Sequence, residues 1–367
     1  MKILVIFGTR PEAIKMCPVV RELSRRAWAE VTVLSTGQHR EMLAPVLASF
    51  GIKPDYELDL MRDGQTLESL TARLLTGIGS VLEQVKPQIA LVHGDTATAF
   101  VASLACFYRH IPIGHIEAGL RTYDITSPHP EELYRRAISL MASYHFAPTD
   151  CAAENLLSER TDRSRIFVTG NTSVDALRYT VREDFSHSLL DWASGERLVI
   201  VTAHRRESIG KPLASMLRAV RRVIEECDGV KAIYPVHKNP RVRAIAEAEL
   251  LGCEGIRITE PLEVADFHNF LARCHLVLTD SGGIQEEASA LGKPTLVMRE
   301  HTERPEGIAC GTLMLTGTGE EAVYRSFKAL LENTEMYSRM SKRADSFGDG
   351  YASARIADIL KNLSEKL

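Results

Sequence analysis

The sequence has no long hydrophobic run and no excess of positive charge. Its apolar runs have the length of strands, and none approaches the roughly 20 residues of a membrane-spanning helix. The formal net charge is −4, whereas a nucleic-acid binder usually carries a basic face. The N-terminal apolar run over residues 3–7 breaks at Gly8, too early for the ~7–15 apolar residues of a signal peptide. We therefore expect a cytoplasmic protein that binds neither nucleic acid nor a membrane.

Paired cysteines and metal-ligand spacings are also missing. The seven cysteines are scattered and form no Cys-x-x-Cys pair, and an odd, dispersed set indicates reduced thiols. His145 lies inside an apolar run without a second candidate ligand beside it, so we interpret it as a core histidine. We expect no metal site.

Short apolar runs and amphipathic segments alternate along the 367 residues in two successive series. Strands rich in Val, Ile and Leu with helices between them are typical of a parallel sheet covered on both faces. We predict an α/β fold of two Rossmann-like doubly wound domains facing a central cleft. The first covers residues 1–170 and the second residues 171–352, and a helix over residues 353–367 packs back on the first. In such sheets ligands bind at the carboxyl ends of the strands.

The predicted strands cover residues 2–7, 31–35, 89–93, 113–117, 144–147 and 166–168 in the first series, and 198–202, 231–235, 256–259, 276–279 and 295–298 in the second. The predicted helices cover residues 12–26, 41–50, 67–85, 97–109, 131–142, 212–226, 241–251 and 284–291.

A glycine-rich turn follows the apolar run that ends at Thr279. Ser281, Gly282 and Gly283 lead directly into a helix-compatible segment. Two interpretations fit this pattern. Ser281 can be an ordinary helix N-cap, or the backbone N–H groups and the helix dipole can hold a phosphate, which the glycines allow to approach the main chain.

Charged side chains follow several predicted strands of the first series. Arg10 and Lys15 fall near a helix N-terminus, where cations are disfavoured unless an anion is bound. Asp95 follows the strand over 89–93, and its alternative role is a helix N-cap. Glu117 ends the next strand, where a buried carboxylate is costly unless it is paired or used. Glu131 opens a helix, and acids there are ordinary partners of the dipole.

Histidines complete the pattern. His115 is expected to share one strand face with Glu117, because side chains alternate along a strand. His204 and His237 follow strands of the second series. Carboxylates with a histidine suit proton transfer, whereas a cationic edge with a glycine-rich helix start suits a diphosphate.

Nine motifs in this order closely resemble those of the bacterial non-hydrolysing UDP-N-acetylglucosamine 2-epimerases. They lie at residues 8–15, 38–40, 93–95, 114–121, 130–132, 170–172, 204–207, 280–287 and 303–306, and the resemblance runs nearly end to end. The first motif carries Pro11 and Lys15 as in the N-acetylglucosamine type, and it differs from the hydrolysing 2-epimerases.

The resemblance implies a glycosyltransferase-B-like fold and the interconversion of UDP-N-acetylglucosamine and UDP-N-acetylmannosamine. UDP is eliminated to give 2-acetamidoglucal and is added back after reprotonation of C2 from the opposite face. No cofactor is implied. The partners implied are the UDP-sugar, a second copy in a homodimer, and a second UDP-N-acetylglucosamine as activator. The product would supply cell-surface polysaccharide.

Residue roles follow from the matching motifs. The catalytic positions are Asp95, Glu117, Glu131 and His204. The UDP and substrate positions are Arg10, Lys15, Arg121, Ser281, Gly282, Gly283, Glu287 and Arg304. The activator positions are Gln38, His39 and Arg40.

Four residues depart from the family pattern, and three of them, Tyr123, His129 and Tyr134, lie around Glu131; the fourth is Ala203. They leave alternatives open. These are a hydrolysing epimerase that releases free N-acetylmannosamine and UDP, an epimerase for a related UDP-sugar, a glycosyltransferase on the same fold, and a non-catalytic nucleotide-sugar sensor.

Overall fold

The computed structural model describes residues 1–37, 40–60 and 64–364, with the backbone alone for residues 40–42 and 206. The chain forms two compact units. The first comprises Met1–Tyr179 together with Gly348–Leu367, and the second comprises Thr180–Phe347. Among the helices within the described ranges, none has the length and apolar character needed to span a membrane.

The first unit is built on a sheet of seven parallel strands. The strands are β1 Lys2–Phe7, β2 Glu30–Ser35, β3 Tyr56–Glu57, β4 Ile89–His93, β5 Ile113–Ile116, β6 Tyr144–Ala147 and β7 Ile166–Val168. The helices are α1 Arg10–Ser24, α2 Arg40–Phe50, α3 Leu67–Val85, α4 Ala97–Phe107, α5 Glu131–Met141, α6 Asp150–Ser158, α7 Thr172–Thr180 and α16 Ala352–Ser364.

The second unit is built on six parallel strands. They are β8 Arg197–Thr202, β9 Val230–Pro235, β10 Ile256–Thr259, β11 Leu276–Thr279, β12 Thr295–Val297 and β13 Leu313–Leu315. The helices are α8 Ser188–Trp192, α9 Lys211–Glu226, α10 Pro240–Leu250, α11 Val264–Arg273, α12 Gly282–Ala290, α13 Pro305–Ala309, α14 Glu320–Glu332 and α15 Thr334–Met340.

The six-stranded sheet repeats the order of the first six strands of the seven-stranded sheet. The order is β3-β2-β1-β4-β5-β6-β7 in the first unit and β10-β9-β8-β11-β12-β13 in the second. Each order reverses direction once, between β1 and β4 and between β8 and β11, which is the doubly wound pattern. The predicted fold class of two Rossmann-like α/β units is confirmed. Ligands of such sheets bind beside the reversal, at the carboxyl ends of its two strands.

The central strands of each unit are buried because their side chains are apolar. Residues 3–7 of β1 are buried, as are β4, β11 and most of β8. A strand covered by helices on both faces has no side that can be polar, so it reads as a continuous apolar run.

The first unit continues past the predicted boundary at residue 170. Asp175 of α7 accepts hydrogen bonds from the backbone N–H groups of Ala352 (3.1 Å) and Ser353 (2.7 Å). These bonds join α7 to the start of α16, which also packs on α1. Helix α7 therefore belongs with the first sheet.

Two predicted strands, over residues 113–117 and 295–298, are each one residue too long. Residues 113–117 were predicted as a strand, but β5 ends at Ile116. Glu117 has a φ of 62°, in the left-handed region that residues with a side chain rarely occupy. The expectation that His115 and Glu117 share one strand face is therefore wrong, because the alternation stops before Glu117.

Candidate active site

The turns after β1 and β4 lie where the strand order of the first sheet reverses, and they carry several of the predicted site residues. Gly8 and Thr9 follow β1, and Thr9 caps α1 in a reciprocal pair with Glu12. Glu12 is fully buried, accepts from the N–H groups of Gly8 (3.0 Å) and Thr9 (2.8 Å), and accepts from the Thr96 hydroxyl (2.7 Å). Burial raises the pKa of Glu12, and these hydrogen bonds oppose the rise. Glu12 thus ties the turn after β1 to the turn after β4, which carries Asp95.

Glu117 is the centre of a buried polar cluster. Its Oε2 atom forms an ion pair with Nζ of Lys15 and accepts a hydrogen bond of 2.8 Å from Nδ2 of Asn171. The side chains of Lys15 and Glu117 are only 11% and 9% exposed. A buried carboxylate needs such partners, so the structure brings together two residues that the sequence placed far apart.

His93, at the end of β4, faces the same carboxylate. Its Nε2 atom lies 3.7 Å from Oε2 of Glu117. Burial lowers the pKa of His93 to about 4; the charge of Glu117 opposes this shift, and that of Lys15 adds to it. The ring is therefore neutral at neutral pH.

His115 and His145 lie in register on neighbouring strands. Nε2 of His115 bonds to the carbonyl oxygen of Gly94 at 2.7 Å, which fixes the turn before Asp95. Burial lowers the pKa of His115 to about 3 and that of His145 to about 4. Both rings are buried and neutral, and for His145 this is what the sequence predicted.

Asp95 is held by Arg135, a residue that the sequence interpretation did not single out. Nε of Arg135 donates to Oδ2 of Asp95 at 3.0 Å, and a second guanidinium nitrogen pairs with the same oxygen. Thr96, and not Asp95, caps α4, since its hydroxyl accepts from the N–H of Ala99 at 3.0 Å. The alternative role of Asp95 as an N-cap is therefore wrong.

The two acids at the start of α5 differ in environment. Glu132 is fully buried and accepts from the N–H groups of Thr122 and Tyr123, both at 3.1 Å. Glu131 is half-buried, and within the described residues its side chain has no hydrogen-bond or ion-pair partner. Glu132 fixes the preceding loop, which leaves Glu131 as the acid available to a ligand.

The four residues that depart from the family pattern lie in different surroundings. Tyr134 is buried and stacks on Phe100 at 4.9 Å between ring centroids, so it belongs to the hydrophobic core. Tyr123 is exposed and donates its hydroxyl hydrogen bond to Asn155 at 2.9 Å. His129 is exposed. Ala203 of the second unit is buried, and its carbonyl accepts from the Tyr234 hydroxyl at 2.6 Å.

Arg121 is placed in a structural ion pair. Its guanidinium donates to both carboxylate oxygens of Glu159 at 2.8 and 2.7 Å and to the Ser139 hydroxyl at 2.9 Å. The side chain is 0% exposed. The structure thus gives Arg121 protein partners in place of a ligand. Arg10 begins α1 at the reversal and is half-buried.

In the second unit, Asp280 joins the turn after β11 to the turn after β8. Its Oδ2 atom accepts from the N–H groups of His204 and Arg205, both at 2.8 Å. Oδ1 of Asp280 lies 3.9 Å from Nδ1 of His204. His204 stacks on His237 at 5.0 Å between centroids and is 41% exposed. Its ring is therefore fixed on one side and open on the other.

The helix that follows Asp280 begins without a side-chain cap. Ser281 occupies the N-cap position of α12, but its hydroxyl accepts no hydrogen bond from the helix. The ordinary N-cap interpretation is therefore wrong. The first N–H groups of α12 stay available to an anion. A Cβ atom placed on Gly283 would contact nothing within 4 Å, so this side of the turn is open.

Arg304 lies over this turn. A Cβ atom on Gly282 would come within 2.9 Å of its guanidinium carbon. Nε and Nη2 of Arg304 hold Oε1 of Glu286 at 2.9 and 2.8 Å. Glu287 lies one residue further on, with Oε2 at 3.5 Å from Nε2 of His268. Glycine at 282 thus lets a guanidinium approach the start of the helix.

Two more arginines and a carboxylate surround Arg304. Glu303 accepts from Arg299 at 2.8 Å and lies 3.8 Å from Arg205. Burial alone would raise the pKa of Glu303, but Arg299, Arg304 and Arg205 lower it to about 2. Burial and the neighbouring Arg299 lower the pKa of Arg205. Three guanidinium groups thus lie together at this edge of the second unit, each beside a carboxylate.

Gln38 and His39 lie outside the described residues, and Arg40 is described only by its backbone at the start of α2. Across the described residues, no group of three or more His, Cys, Asp or Glu side chains could hold a metal ion.

Sequence reasoning missed several residues that shape the site. They are Glu12, His93, Arg135, Asn171, Asp280 and Arg299. Asp280 follows a strand and could have been found by the same rule as Asp95. Arg135 lies one helical turn after Glu131, a spacing that places both on one helix face.

The chain is similar throughout to known proteins. A family model described as UDP-N-acetylglucosamine 2-epimerase matches residues 21–361. The UDP-N-acetylglucosamine 2-epimerase of Bacillus subtilis (strain 168) is 49% identical over 360 residues, which cover 98% of this chain and 95% of that protein. The protein of the same name from Escherichia coli (strain K12) is 43% identical over 371 residues, covering 99% of each chain.

Solved structures show the same similarity to this chain. S. aureus MnaA, in a co-structure with UDP, shares 47% identity at a TM-score of 0.95 and covers 100% of this chain and 97% of its own. The UDP-GlcNAc 2-epimerase from Neisseria meningitidis, bound to UDP-GlcNAc, shares 41% identity at a TM-score of 0.93 and covers 99% of this chain and 100% of its own.

Proposed function

Because this chain belongs to the UDP-N-acetylglucosamine 2-epimerase family, we propose that it interconverts UDP-N-acetylglucosamine and UDP-N-acetylmannosamine without hydrolysis. The observation that carries the proposal is the Glu117 cluster: a buried carboxylate with Lys15 and Asn171 on one oxygen, beside His93. A carboxylate enclosed in this way is suited to proton transfer at carbon.

The reaction balances without an oxidant, a reductant or water. A base removes the proton from C2, the C1–O bond to the diphosphate breaks, and its electron pair leaves with UDP. The electrons of the C2–H bond form the C1=C2 double bond of 2-acetamidoglucal. A proton then adds to the opposite face of C2, and the UDP oxygen bonds to C1 again.

Inversion at C2 calls for proton transfer on two faces of the sugar. We assign Glu117 to one face, and Asp95 or Glu131 to the other. Asp95 is oriented by Arg135, whereas Glu131 has no protein partner within the described residues. Lys15 is assigned to the substrate, with Arg121 as a positioning residue behind the loop through its pair with Glu159.

The second unit is assigned to UDP. The uncapped N–H groups at Gly282 and Gly283, the Ser281 hydroxyl and the guanidinium of Arg304 suit the diphosphate as a leaving group. His204 is oriented through Asp280 and suits protonation or hydrogen bonding of a phosphate oxygen. Glu287 suits the ribose hydroxyls, and we also assign Arg10, at the start of α1, to the nucleotide.

The test is incubation with UDP-N-acetylglucosamine in heavy water. We expect deuterium at C2 of both epimers and a product that remains attached to UDP. A substrate carrying ¹⁸O in the sugar–phosphate bridge should scramble its label into the non-bridging β-phosphate oxygens, because the C1–O bond breaks. Glu117→Gln should abolish both exchanges while UDP still binds. Absence of C2 exchange in the unaltered protein would contradict the proposal.

Product analysis separates the two epimerase types. The non-hydrolysing enzyme returns UDP-N-acetylmannosamine, whereas a hydrolysing one accumulates free N-acetylmannosamine and UDP in equal amounts. The stretch from Pro11 to Lys15 favours the first. Free sugar as the main product would show that the hydrolysing alternative is right.

We further propose a cytoplasmic homodimer whose product supplies cell-surface polysaccharide and which takes a second UDP-N-acetylglucosamine as activator. The buried thiols of Cys17, Cys106, Cys253 and Cys274 support a reducing compartment. Sedimentation equilibrium tests the dimer. Reverse-direction rates that rise when UDP-N-acetylglucosamine is added to UDP-N-acetylmannosamine test the activator.

A further inference from the structure

We propose that His93 is a positioning residue for the proposed reaction, and that it presents Nε2–H to the Glu117 carboxylate. This inference rests on the proposed function and deepens it, because it names what holds the proton-transfer carboxylate in place.

The backbone aims the two side chains at each other. His93 is the last residue of β4 and lies opposite Ile116 of β5 in the register. Glu117 then leaves the strand with a φ of 62°. If β5 continued through residue 117, the Glu117 side chain would follow the normal alternation of a strand. The turn at Glu117 instead brings its Oε2 atom to within 3.7 Å of Nε2 of His93.

Burial fixes the charge state of the ring. His93 is 4% exposed, and its pKa is lowered to about 4. A neutral imidazole carries one N–H, on either Nδ1 or Nε2. The choice of nitrogen decides whether the ring supports or opposes a neighbouring carboxylate.

The surroundings of His93 favour the tautomer that carries its proton on Nε2. This atom is buried and has no hydrogen-bond partner among the described residues. A lone pair directed at the Glu117 carboxylate would be repelled, whereas an N–H is attracted. The charged groups that face His93 are Glu117, Lys15 from α1 and Asp95 from the turn after β4, and the neutral ring of His115 on β5 is a further titratable group beside it. The ring also makes a hydrogen bond with the backbone of His93 itself, but the attraction of the Glu117 carboxylate is the larger influence on its pKa and favours the Nε2–H form.

The contact matters most when Lys15 turns to the substrate. Lys15 and Asn171 both donate to Oε2 of Glu117 in the ligand-free structure. If Lys15 engages the sugar nucleotide, the carboxylate loses its cationic donor. A small side-chain rotation then shortens the 3.7 Å distance between Nε2 of His93 and Oε2 of Glu117 to that of a hydrogen bond. His93 thereby keeps the Glu117 carboxylate oriented toward C2.

Three variants test this role. His93→Phe keeps a ring of similar size without a donor. His93→Gln places an amide N–H near the position of Nε2. His145→Phe is the matched control, because His145 is also a buried neutral histidine, on β6, away from Glu117.

His93→Phe should lower kcat for C2 exchange by about tenfold or more, the effect of one hydrogen bond to an ionised group, with little change in KM. Without the N–H the ionised carboxylate is disfavoured, so the acid-side fall of kcat should move up by about one pH unit. His93→Gln should recover most of both effects. His145→Phe should not shift the acid limb, that is, the acid-side fall of kcat.

A readout without turnover separates this inference from the proposed function. The ¹⁵N NMR shifts of His93 should show a protonated Nε2 and a bare Nδ1 near pH 7. A protonated Nδ1, or an acid limb that is identical in His93→Phe and His145→Phe, would overturn the role of His93. If the unaltered protein exchanges no C2 proton, the proposed function fails, and the NMR measurement still decides the tautomer.

Discussion

Gly282 is the single position where adding one carbon should disturb the candidate UDP site most. Gly282→Ala would place a methyl group 2.9 Å from the Arg304 guanidinium, so that side chain must move. We expect UDP affinity to fall by roughly tenfold, as for the loss of one charge-assisted hydrogen bond. Isothermal titration calorimetry with UDP measures it.

The neighbouring glycine and Arg304 provide the controls for that substitution. Gly283→Ala meets nothing within 4 Å, so its effect on the free energy of unfolding should be neutral or a gain of ~0.5–1 kcal/mol from helix propensity. If Gly282→Ala acts through Arg304, it should add little to Arg304→Ala in a double-mutant cycle. Full additivity would contradict this mechanism.

Single residues also show where sequence reasoning ends. The position of Asp95 after a strand was visible in the sequence. The pairing of Arg121 with Glu159 joins residues far apart in the chain, and no spacing rule gives it. The φ of 62° at Glu117 was equally hidden, because glutamate rarely adopts it.

At the scale of elements, the starts of α6 and α12 make a matched pair. The Thr149 hydroxyl caps α6 by accepting from the N–H of Ala152 at 3.2 Å, whereas Ser281 caps nothing in α12. Thr149→Ala should lower the free energy of unfolding by about 1 kcal/mol, and Ser281→Ala should leave it nearly unchanged while weakening UDP binding. Equal losses of stability in urea titrations would contradict the open helix start.

Glu12 links two elements and gives a pH-dependent prediction. Glu12→Ala would leave the buried N–H groups of Gly8 and Thr9 unpaired, at a cost of about 2–5 kcal/mol. Glu12→Gln can still accept from both groups and can donate to Thr96. At or below about pH 4.5, where Glu12 is protonated, we expect it to be about as stable as the unaltered protein in denaturant titrations.

The sign of the pH dependence follows from the raised pKa of Glu12. The folded protein keeps this proton at pH values where the unfolded chain has released it. The contribution of Glu12 to stability is thus full below its ordinary value of 4.5 and is lost as pH rises through the folded value. Glu12→Gln should therefore gain stability over the unaltered protein as pH rises from about 4.5. A constant difference would contradict the raised pKa.

Most elements with a clear apolar pattern were predictable, whereas two very short strands were not. The predicted helix over 67–85 and the strand over 89–93 have the bounds that the structure gives them, because the helix shows a clear apolar period and the strand is a continuous apolar run. β3 and β13 have two and three residues, too few for a pattern. α14 was missed although it buries Val323 and Phe327 on one face, a helical spacing that the sequence does carry.

At the scale of the whole molecule, the first unit depends on the end of the chain. Helix α16 packs on α1 and buries Ile356 and Leu360 completely. A chain ending at residue 347 would expose this face, at ~1.5–3 kcal/mol for each large apolar side chain. We expect faster amide hydrogen exchange throughout residues 1–179 and unchanged exchange in residues 180–347.

Asp175→Asn is the milder companion of that truncation. It keeps α16 but weakens the hydrogen bonds that Asp175 accepts from Ala352 and Ser353. Its hydrogen exchange should increase only near α7 and α16. Uniform loss of protection in both units would show that they unfold together.

The split of the first unit sets an order of events on the ribosome. Its strands are synthesised first, yet the helix that covers α1 follows the whole second unit in the chain. At bacterial translation rates, the interval between residue 179 and α16 is on the order of 10–40 seconds. The second unit is complete before the first can close. During that interval α1 presents an uncovered apolar face, so nascent chains of this protein should engage chaperones through their N-terminal unit.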